Sequence, residues 1–169
     1  MVSVRPARED EWAEAKRLRL EMLADTPHAF DTPVAEALTW SDERWRTRHR
    51  SNLMFDSTTV AAVDDQGRWR GTMSARLYQH LPQPTVWLLG VYLTPSLRGS
   101  GIAEAMLAQV EAWARAQGVA ELYLDVQERA VRARRFYARI GFTPTGATQP
   151  HPRQPDEVEI ELRKPLGLG

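Results

Sequence analysis

The chain reads as an α/β protein of the α+β kind, on three observations. Segments with alternating or continuous β-branched and apolar residues are interleaved with segments whose apolar residues recur every three or four positions. Two of the strand-like segments are joined by turn residues as a β-hairpin, and others are followed by helical stripes. Finally, 169 residues with 43% hydrophobic and 26% charged side chains and a mean hydropathy of −0.46 match an ordinary globular domain. Such a chain buries roughly 70% of the surface that its unfolded form exposes. One domain over residues 1–165 is expected.

Val2, Val4 and Pro6 read as a first strand, and Glu9 to Leu23 follow with Trp12, Ala15, Leu18 and Met22 at helical spacing. From Asp25 to Trp40 the pattern breaks around Pro27 and Pro33, with Phe30, Val34, Leu38 and Trp40 interspersed. This stretch reads either as a substrate loop or as a surface connection with apolar anchors. Ser41 then offers an N-cap for a short helix through Arg50. Thr58 to Val63 and Arg68 to Leu77 flank Asp64-Asp65-Gln66-Gly67 as a hairpin, and Pro82 and Pro84 mark another turn. Thr85 to Leu93 is a continuous apolar run suited to a strand buried on both faces, in which Gly90 signals a bulge or a close backbone approach.

Gly101 to Gln117 is the clearest helix, with Ile102, Met106, Val110, Trp113 and Ala114 on one stripe and Gly118 as its stop. Leu122, Leu124 and Val126 alternate as a strand. Ala130 to Ile140 forms a second helix, with Ala133, Phe136, Tyr137 and Ile140 on one face and Gly141 at its end. Thr143 to Pro155, rich in proline and turn residues, reads as the one loose stretch, and Val158, Ile160 and Leu162 alternate as a half-solvated last strand. Read as an edge, that strand is a candidate homodimer surface.

Composition removes whole classes of function. The 22 basic and 22 acidic residues balance, so no global field attracts nucleic acid or an anionic membrane. Without cysteine there is no disulfide, thiolate metal site, iron–sulfur cluster or cysteine nucleophile. No Ser-His-Asp order, HExxH or other metal-ligand spacing appears, so neither a covalent acyl-enzyme nor a metal is expected. The opening MVSVRPARED lacks an apolar signal core, and no apolar run approaches the ~18 residues of a membrane span. A cytoplasmic protein is expected.

The chemistry concentrates in Thr94-Pro95-Ser96-Leu97-Arg98-Gly99-Ser100-Gly101-Ile102-Ala103, which joins a strand to a helix. Unpaired N–H groups at a helix start, the helix dipole and glycines without Cβ atoms favour an anion such as a pyrophosphate. A P-loop requires Lys-Ser or Lys-Thr after its last glycine, whereas Ile102-Ala103 follows here. A dinucleotide fingerprint finds Gly99-x-Gly101 and Asp125 but fails at Glu104, where a small residue is required.

A third construction fits better. Arg98, Gly101 and Ala103 match in order the acetyl-CoA loop motif of the GNAT acyltransferases, and the sequence resembles that family from about residue 85 to 142. Val91-Tyr92-Leu93-Thr94-Pro95, Leu122-Tyr123-Leu124-Asp125-Val126 and Phe136-Tyr137-Ala138-Arg139-Ile140-Gly141-Phe142 complete the frame. The resemblance implies a central mixed, mostly antiparallel twisted sheet of about six to seven strands, flanked by about four helices and splayed at the cofactor cleft. It also implies an acetyl-CoA-dependent N-acetyltransferase. Backbone around Val91, Tyr92 and Leu93 would pair with the pantetheine arm, and Arg98, Gly99, Ser100, Gly101, Ile102 and Ala103 would cradle the pyrophosphate. Tyr137 would protonate the departing thiolate.

One departure is Ala130, where the family often has Asn seven positions before the tyrosine. Arg129, Arg132, Arg134, Arg135 and Arg139 form a basic run suited either to the 3′-phosphate of CoA or to a solvated helix face. The base has no motif, and Glu36, His80 and Asp125 are its titratable candidates. The expected acceptor is a small-molecule amine or a peptide N-terminus, with Leu23 to Trp45 shaping its pocket and Phe30, Trp40 and Trp45 as aromatic walls. A non-catalytic acyl-CoA-binding module is the alternative.

Overall fold

The computed structural model describes residues 1–167. The chain runs from β1 (Val2–Pro6) through a 3-10 turn at Glu9–Glu11 into α1 (Trp12–Asp25). A second 3-10 turn and the single-turn α2 (Val34–Ala37) lead to α3 (Asp42–Ser51). Next come β2 (Ser57–Asp64), β3 (Trp69–Tyr78), β4 (Thr85–Leu93) and α4 (Ile102–Ala116). The last elements are β5 (Glu121–Gln127), α5 (Val131–Arg139), β6 (Thr143–His151) and β7 (Gln154–Pro165). All seven strands form one sheet in the order β1-β2-β3-β4-β5-β7-β6. Every neighbouring pair is antiparallel except β4 and β5, which run parallel because α4 carries the chain between them.

The terminal residues of the helices account for their bounds. Ser41 accepts a hydrogen bond from the Arg44 N–H at 3.2 Å and so starts α3. After α4, Gly118 adopts φ +77, a left-handed stop open to glycine. Glu11 ties the end of β1 to the start of α1, accepting from Arg5 Nη1 at 3.0 Å and from the Arg8 N–H at 2.8 Å.

The sheet separates two packing layers, and the alternation of β2 shows which side is which. Val60 and Ala62 pack with Met106, Leu107 and Val110 of α4, whereas Ala61 and Val63 pack with Leu18 and Met22 of α1. Leu23, Ala37 and Trp45 close a third cluster among the first three helices, with Phe30, Val34 and Trp40 packed against it. The irregular stretch after α1 is therefore anchored by Phe30, Val34 and Trp40, while Leu38 faces solvent.

Three expectations are corrected. Thr143 to His151 is a strand, β6, although it contains Pro144 and Pro150. It lies at the sheet edge, where a missing N–H leaves no internal ladder bond unmade, and its register shifts next to both prolines. The last strand, β7, is consequently not an edge. It is covered by β5 on one side and β6 on the other, so it offers no free backbone for pairing across a two-fold axis. Nor is β4 buried on both faces throughout, since Leu89 is 38% exposed where the sheet opens beside it. Among the described residues, no helix is long and apolar enough to cross a membrane.

Candidate active site

The opening in the sheet begins where β4 and β5 part. Only Val86 with Leu122 and Trp87 with Tyr123 are paired, so the stretch from Leu88 to Leu93 has no strand beside it on the β5 side. Between the pairs Leu89–Ser74 and Tyr92–Thr72, β4 has two residues where β3 has one. The extra residue is a β-bulge at Gly90, whose φ of +57 suits glycine. The bulge switches faces: Val86 and Leu88 share the α4-side core with Leu93, an odd spacing that regular pleating forbids. Tyr92 consequently turns to the α1 side, where its buried hydroxyl donates to Glu21 Oε1 at 3.2 Å. Burial and the charges of Glu21 and Asp25 raise its pKa. Of the three predicted pantetheine residues, Tyr92 thus has only its backbone to offer.

The loop to α4 is held from outside. Arg98 Nε donates to the Leu93 carbonyl at 3.0 Å, and Nη2 to Asp25 Oδ2 at 2.6 Å. Its guanidinium is therefore engaged in bracing the loop against β4 and α1. Gly99 and Gly101 adopt φ of +79 and +83, and a Cβ at either would stand in open space. The first helical bond runs from the Ala105 N–H to the Gly101 carbonyl. Among the described residues this leaves the N–H groups of Gly99, Gly101, Ile102, Ala103 and Glu104 without a backbone partner. Ser100 Oγ donates to the Leu97 carbonyl at 2.5 Å. A concentration of free donors at a dipole's positive end fits the phosphates of acetyl-CoA.

Tyr137 lies on the α4 side, buried in the main core between Phe136 and Phe142 with ring centroids 5.4 and 5.6 Å away. Burial alone raises its pKa, so the hydroxyl stays protonated at neutral pH. Ala130 occupies the N-cap of α5 and supplies no side-chain hydrogen bond to it. Of the basic run, Arg139 pairs with Glu104 at 2.8 Å and Arg129 with Glu157 at 3.9 Å. Arg132, Arg134 and Arg135 project from the exposed face of α5.

Across the opening, on the sheet face opposite the buried Leu122 and Leu124, stands Asp125. Loss of solvation and the negative charges of Glu159, Glu161 and Asp31 push it up to about 6, against a hydrogen bond from Gln149 Nε2 at 3.1 Å. The other two base candidates lie elsewhere. Glu36 is on the surface of α2 facing Arg44 at 3.9 Å, and His80 is in the exposed turn before β4. Asp31, His151 and Glu159 also bring one ligand atom each within 4.8 Å of one another, and the buried His151 Nε2, 4.0 Å from Glu159 Oε1, makes no hydrogen bond among the described residues. No local spacing reveals this grouping, because the three residues come from a loop and two strands.

The Acetyltransferase (GNAT) family matches residues 16–142 of the chain. An aminoglycoside N(6')-acetyltransferase type 1 of Stenotrophomonas maltophilia is 39% identical over 139 residues, 73% of this chain and 91% of that protein. The crystal structure of a GNAT-family acetyltransferase from Streptococcus pneumoniae superposes with a TM-score of 0.80 at 17% identity, covering 99% of this chain and 100% of that one. YncA of Salmonella typhimurium, solved with its cofactor acetyl-CoA, has a TM-score of 0.78 at 16% identity, covering 100% of this chain and 96% of that one.

Proposed function

The chain belongs to the acetyltransferase (GNAT) family and is an acetyl-CoA-dependent N-acetyltransferase; on that premise we propose that, as one catalytic domain over residues 1–165, it acetylates a primary amine of a small molecule by direct attack on the thioester. One observation carries this reading: the strand edge left open at Leu88–Leu93 leads into a helix start with five unpaired N–H groups. An extended amide-bearing arm ending in a pyrophosphate requires both, in that order along the chain.

When bound, acetyl-CoA supplies an activated acyl carbon and a thiolate leaving group. Backbone groups of Val91, Tyr92 and Leu93 would hold its arm as an added strand, and the loop from Arg98 to Ala103 would seat the pyrophosphate on backbone donors. Arg98 acts by bracing this loop. Asp125, directly or through a water, would take a proton from the acceptor ammonium on the α1 side of the opening. The freed amine lone pair forms the new C–N bond, a backbone N–H of the bulged segment steadies the oxyanion, the nitrogen gives up its second proton to water, and the C–S bond then breaks. Tyr137, reaching from the opposite side, would give its proton to the leaving sulfur.

The test is thermal unfolding with acetyl-CoA, CoA, NADH and ATP in parallel, followed by thiol release with an amine panel. Ligand at about 100 times its dissociation constant stabilises by roughly 2.7 kcal/mol. Stabilisation by the CoA compounds alone, with thiol release, is expected; the chain has no cysteine to confuse the thiol signal. Binding without release for any amine would reduce the protein to a binding module, and a larger effect of NADH would overturn the cofactor.

A further inference from the structure

Beneath α1 and α3, on the Asp125 side of the sheet, lies a cavity of about 50 Å³ that reaches the bulge of β4. Its wall includes Arg19, Trp45, Arg48, Asn52, Ser74 and Gly90, and no aspartate or glutamate lines it. Arg19 and Arg48 are both partly buried, and among the described residues neither has a carboxylate within ion-pair distance. Arg19 lies over the Phe30 ring at 4.8 Å, and its one hydrogen bond among the described residues is from Nη1 to the Met22 sulfur at 3.9 Å. Nearby Arg76 adds a third positive charge, bonded only to neutral groups, Ser57, Asn52 and the Ser51 carbonyl. Trp45 contributes a buried indole N–H that has no hydrogen-bond partner among the described residues. The wall is thus rich in donors and cations and lacks an acceptor of matching charge.

This vacancy of negative charge is local. Two residues before Arg19 on the same helix, Arg17 is paired with both Glu14 and Glu21 at 3.1 Å. A partly buried guanidinium with no ion-pair partner weakens a fold: Arg19 meets desolvation and repulsion from Arg48, offset in part by Asp31, and Arg48 meets desolvation and repulsion from Arg76. A bound anion would complete such an arrangement.

We infer that the acetyl acceptor carries a compact oxyanion, a carboxylate or a phosphonate, that docks between Arg19 and Arg48 while its amine faces Asp125. The inference rests on the acetyl-transfer reading above and adds the acceptor's class. Position supports it. A Cβ at Gly90 would stand 3.7 Å from Arg19 Nη1, so the guanidinium borders the bulge that leads into Val91. Asp31 acts electrostatically on both Arg19 and Asp125, so the cationic cavity and the acidic group on the same sheet face share one charged neighbour. An amino acid or aminophosphonate has its charges in that order: anion under α1, ammonium at the opening. A cavity of this size accommodates a few waters or one small charged group, not the ring of an amino sugar. An acceptor without an anion would leave the repulsion of Arg19 by Arg48 uncompensated.

The experiment compares thiol release from acetyl-CoA with matched acceptors: the common α-amino acids, β-alanine, γ-aminobutyrate and aminomethylphosphonate, each beside its amide or ester, together with kanamycin and spermidine. An oxyanion-bearing acceptor is expected to exceed its neutral partner in kcat/KM by about 100-fold, the scale of losing a buried charge partner. The amino acid and aminophosphonate arms identify which oxyanion the cavity takes. Arg19→Met and Arg48→Met should each erase that preference while leaving the KM for acetyl-CoA unchanged and the Tm of the free protein unchanged or higher. A structural arginine would lower the Tm and spare the preference. Neutral partners or kanamycin used equally well, or no oxyanion acceptor turned over, would overturn the pocket. The thermal shift with acetyl-CoA separates the two failures: if it persists only the acceptor class is wrong, and if it is absent the transferase reading falls too.

Discussion

Arg98 meets Asp25 at 2.6 Å, joining the loop before α4 to the last residue of α1. The same guanidinium holds the Leu93 carbonyl at 3.0 Å, so one side chain fixes the end of the open strand relative to the helix start. The family motif places an arginine here, and the geometry gives it a bracing role in addition to its charge. Asp25→Asn should therefore raise the KM for acetyl-CoA by about tenfold, a positioning effect, with kcat at saturation little changed. Both side chains are about one-third exposed, so the Tm should fall by no more than about 2 °C. An unchanged KM would mean that the loop holds its shape without this bridge.

Tyr137 offers a clean separation of chemistry from stability. Its hydroxyl lies in an apolar setting in which burial is the sole influence on its proton affinity. Removing a hydroxyl with no protein partner there leaves nothing unsatisfied, so Tyr137→Phe should keep the Tm within about 2 °C. As the acid for the leaving thiolate it should lower kcat by about 100-fold, with KM for acetyl-CoA preserved. Steady-state kinetics and thermal unfolding of the same preparation decide the matter; full activity would assign Tyr137 to the core.

The main core and the loop before α4 are legible because their signals are local. Met106, Val110 and Ala114 announce their burial by helical spacing, and Gly90 announces the bulge by interrupting an apolar run. The strand β6 was hidden because Pro144 and Pro150 carry the same turn signal at a sheet edge as in a loop. Arg19 and Arg48 look like ordinary polar positions on amphipathic helices. Only the packing of α1 against α3 and β3 brings them to one cavity and away from acidic partners. Asp125 and Glu159 likewise come together through the pairing of β5 with β7, and the loop that holds Asp31 reaches them over a long sequence separation.

Ala130 is a departure with a measurable consequence. It stands at the N-cap of α5 with φ −76 and ψ 66, and no side chain caps the N–H groups of Arg132 and Ala133. Ala130→Ser introduces an acceptor of nearly the same volume and should stabilise the protein by about 0.5–1 kcal/mol. In a chain of this length that is about 1–3 °C in Tm. A lower Tm would show that the partly buried Ala130 contributes more by packing against the core than a cap returns.

Glu11 sets part of the acid limit of the fold. The Arg5 hydrogen bond, opposed by desolvation and aided by the Arg8 N–H, holds its carboxyl down to about 2. A folded pKa below the ordinary ~4.3 means that the unfolded chain takes up the proton first, so this stabilisation is complete above about 4.5. It is lost as pH falls from there through about 2. With Glu11 only 15% exposed, the contribution is on the order of 2–3 kcal/mol. Glu11→Gln should lower the Tm at pH 7 and make it less dependent on pH below 5; an unchanged acid transition would assign the limit to other carboxylates.

Asp125 should display opposite signs in stability and in rate. Its pKa of about 6 lies above the ordinary aspartate value of ~3.9, so between these limits the folded protein keeps a proton that the unfolded chain has released. Stability from this group therefore decreases as pH rises from about 4 to about 6, and Asp125→Asn should remove the decrease and raise the Tm at pH 7. The rate moves the other way, because a base accepts a proton only when ionised. For the wild type, kcat/KM should climb with pH through about 6 and level off above it. Asp125→Asn should lose about 100-fold in kcat/KM at pH 7 together with that limb. A limb that persists unchanged in the variant would exclude Asp125 as its source and direct the search to the acceptor's own ammonium or to Glu159, which shares the Gln149 amide with Asp125 at 2.9 Å.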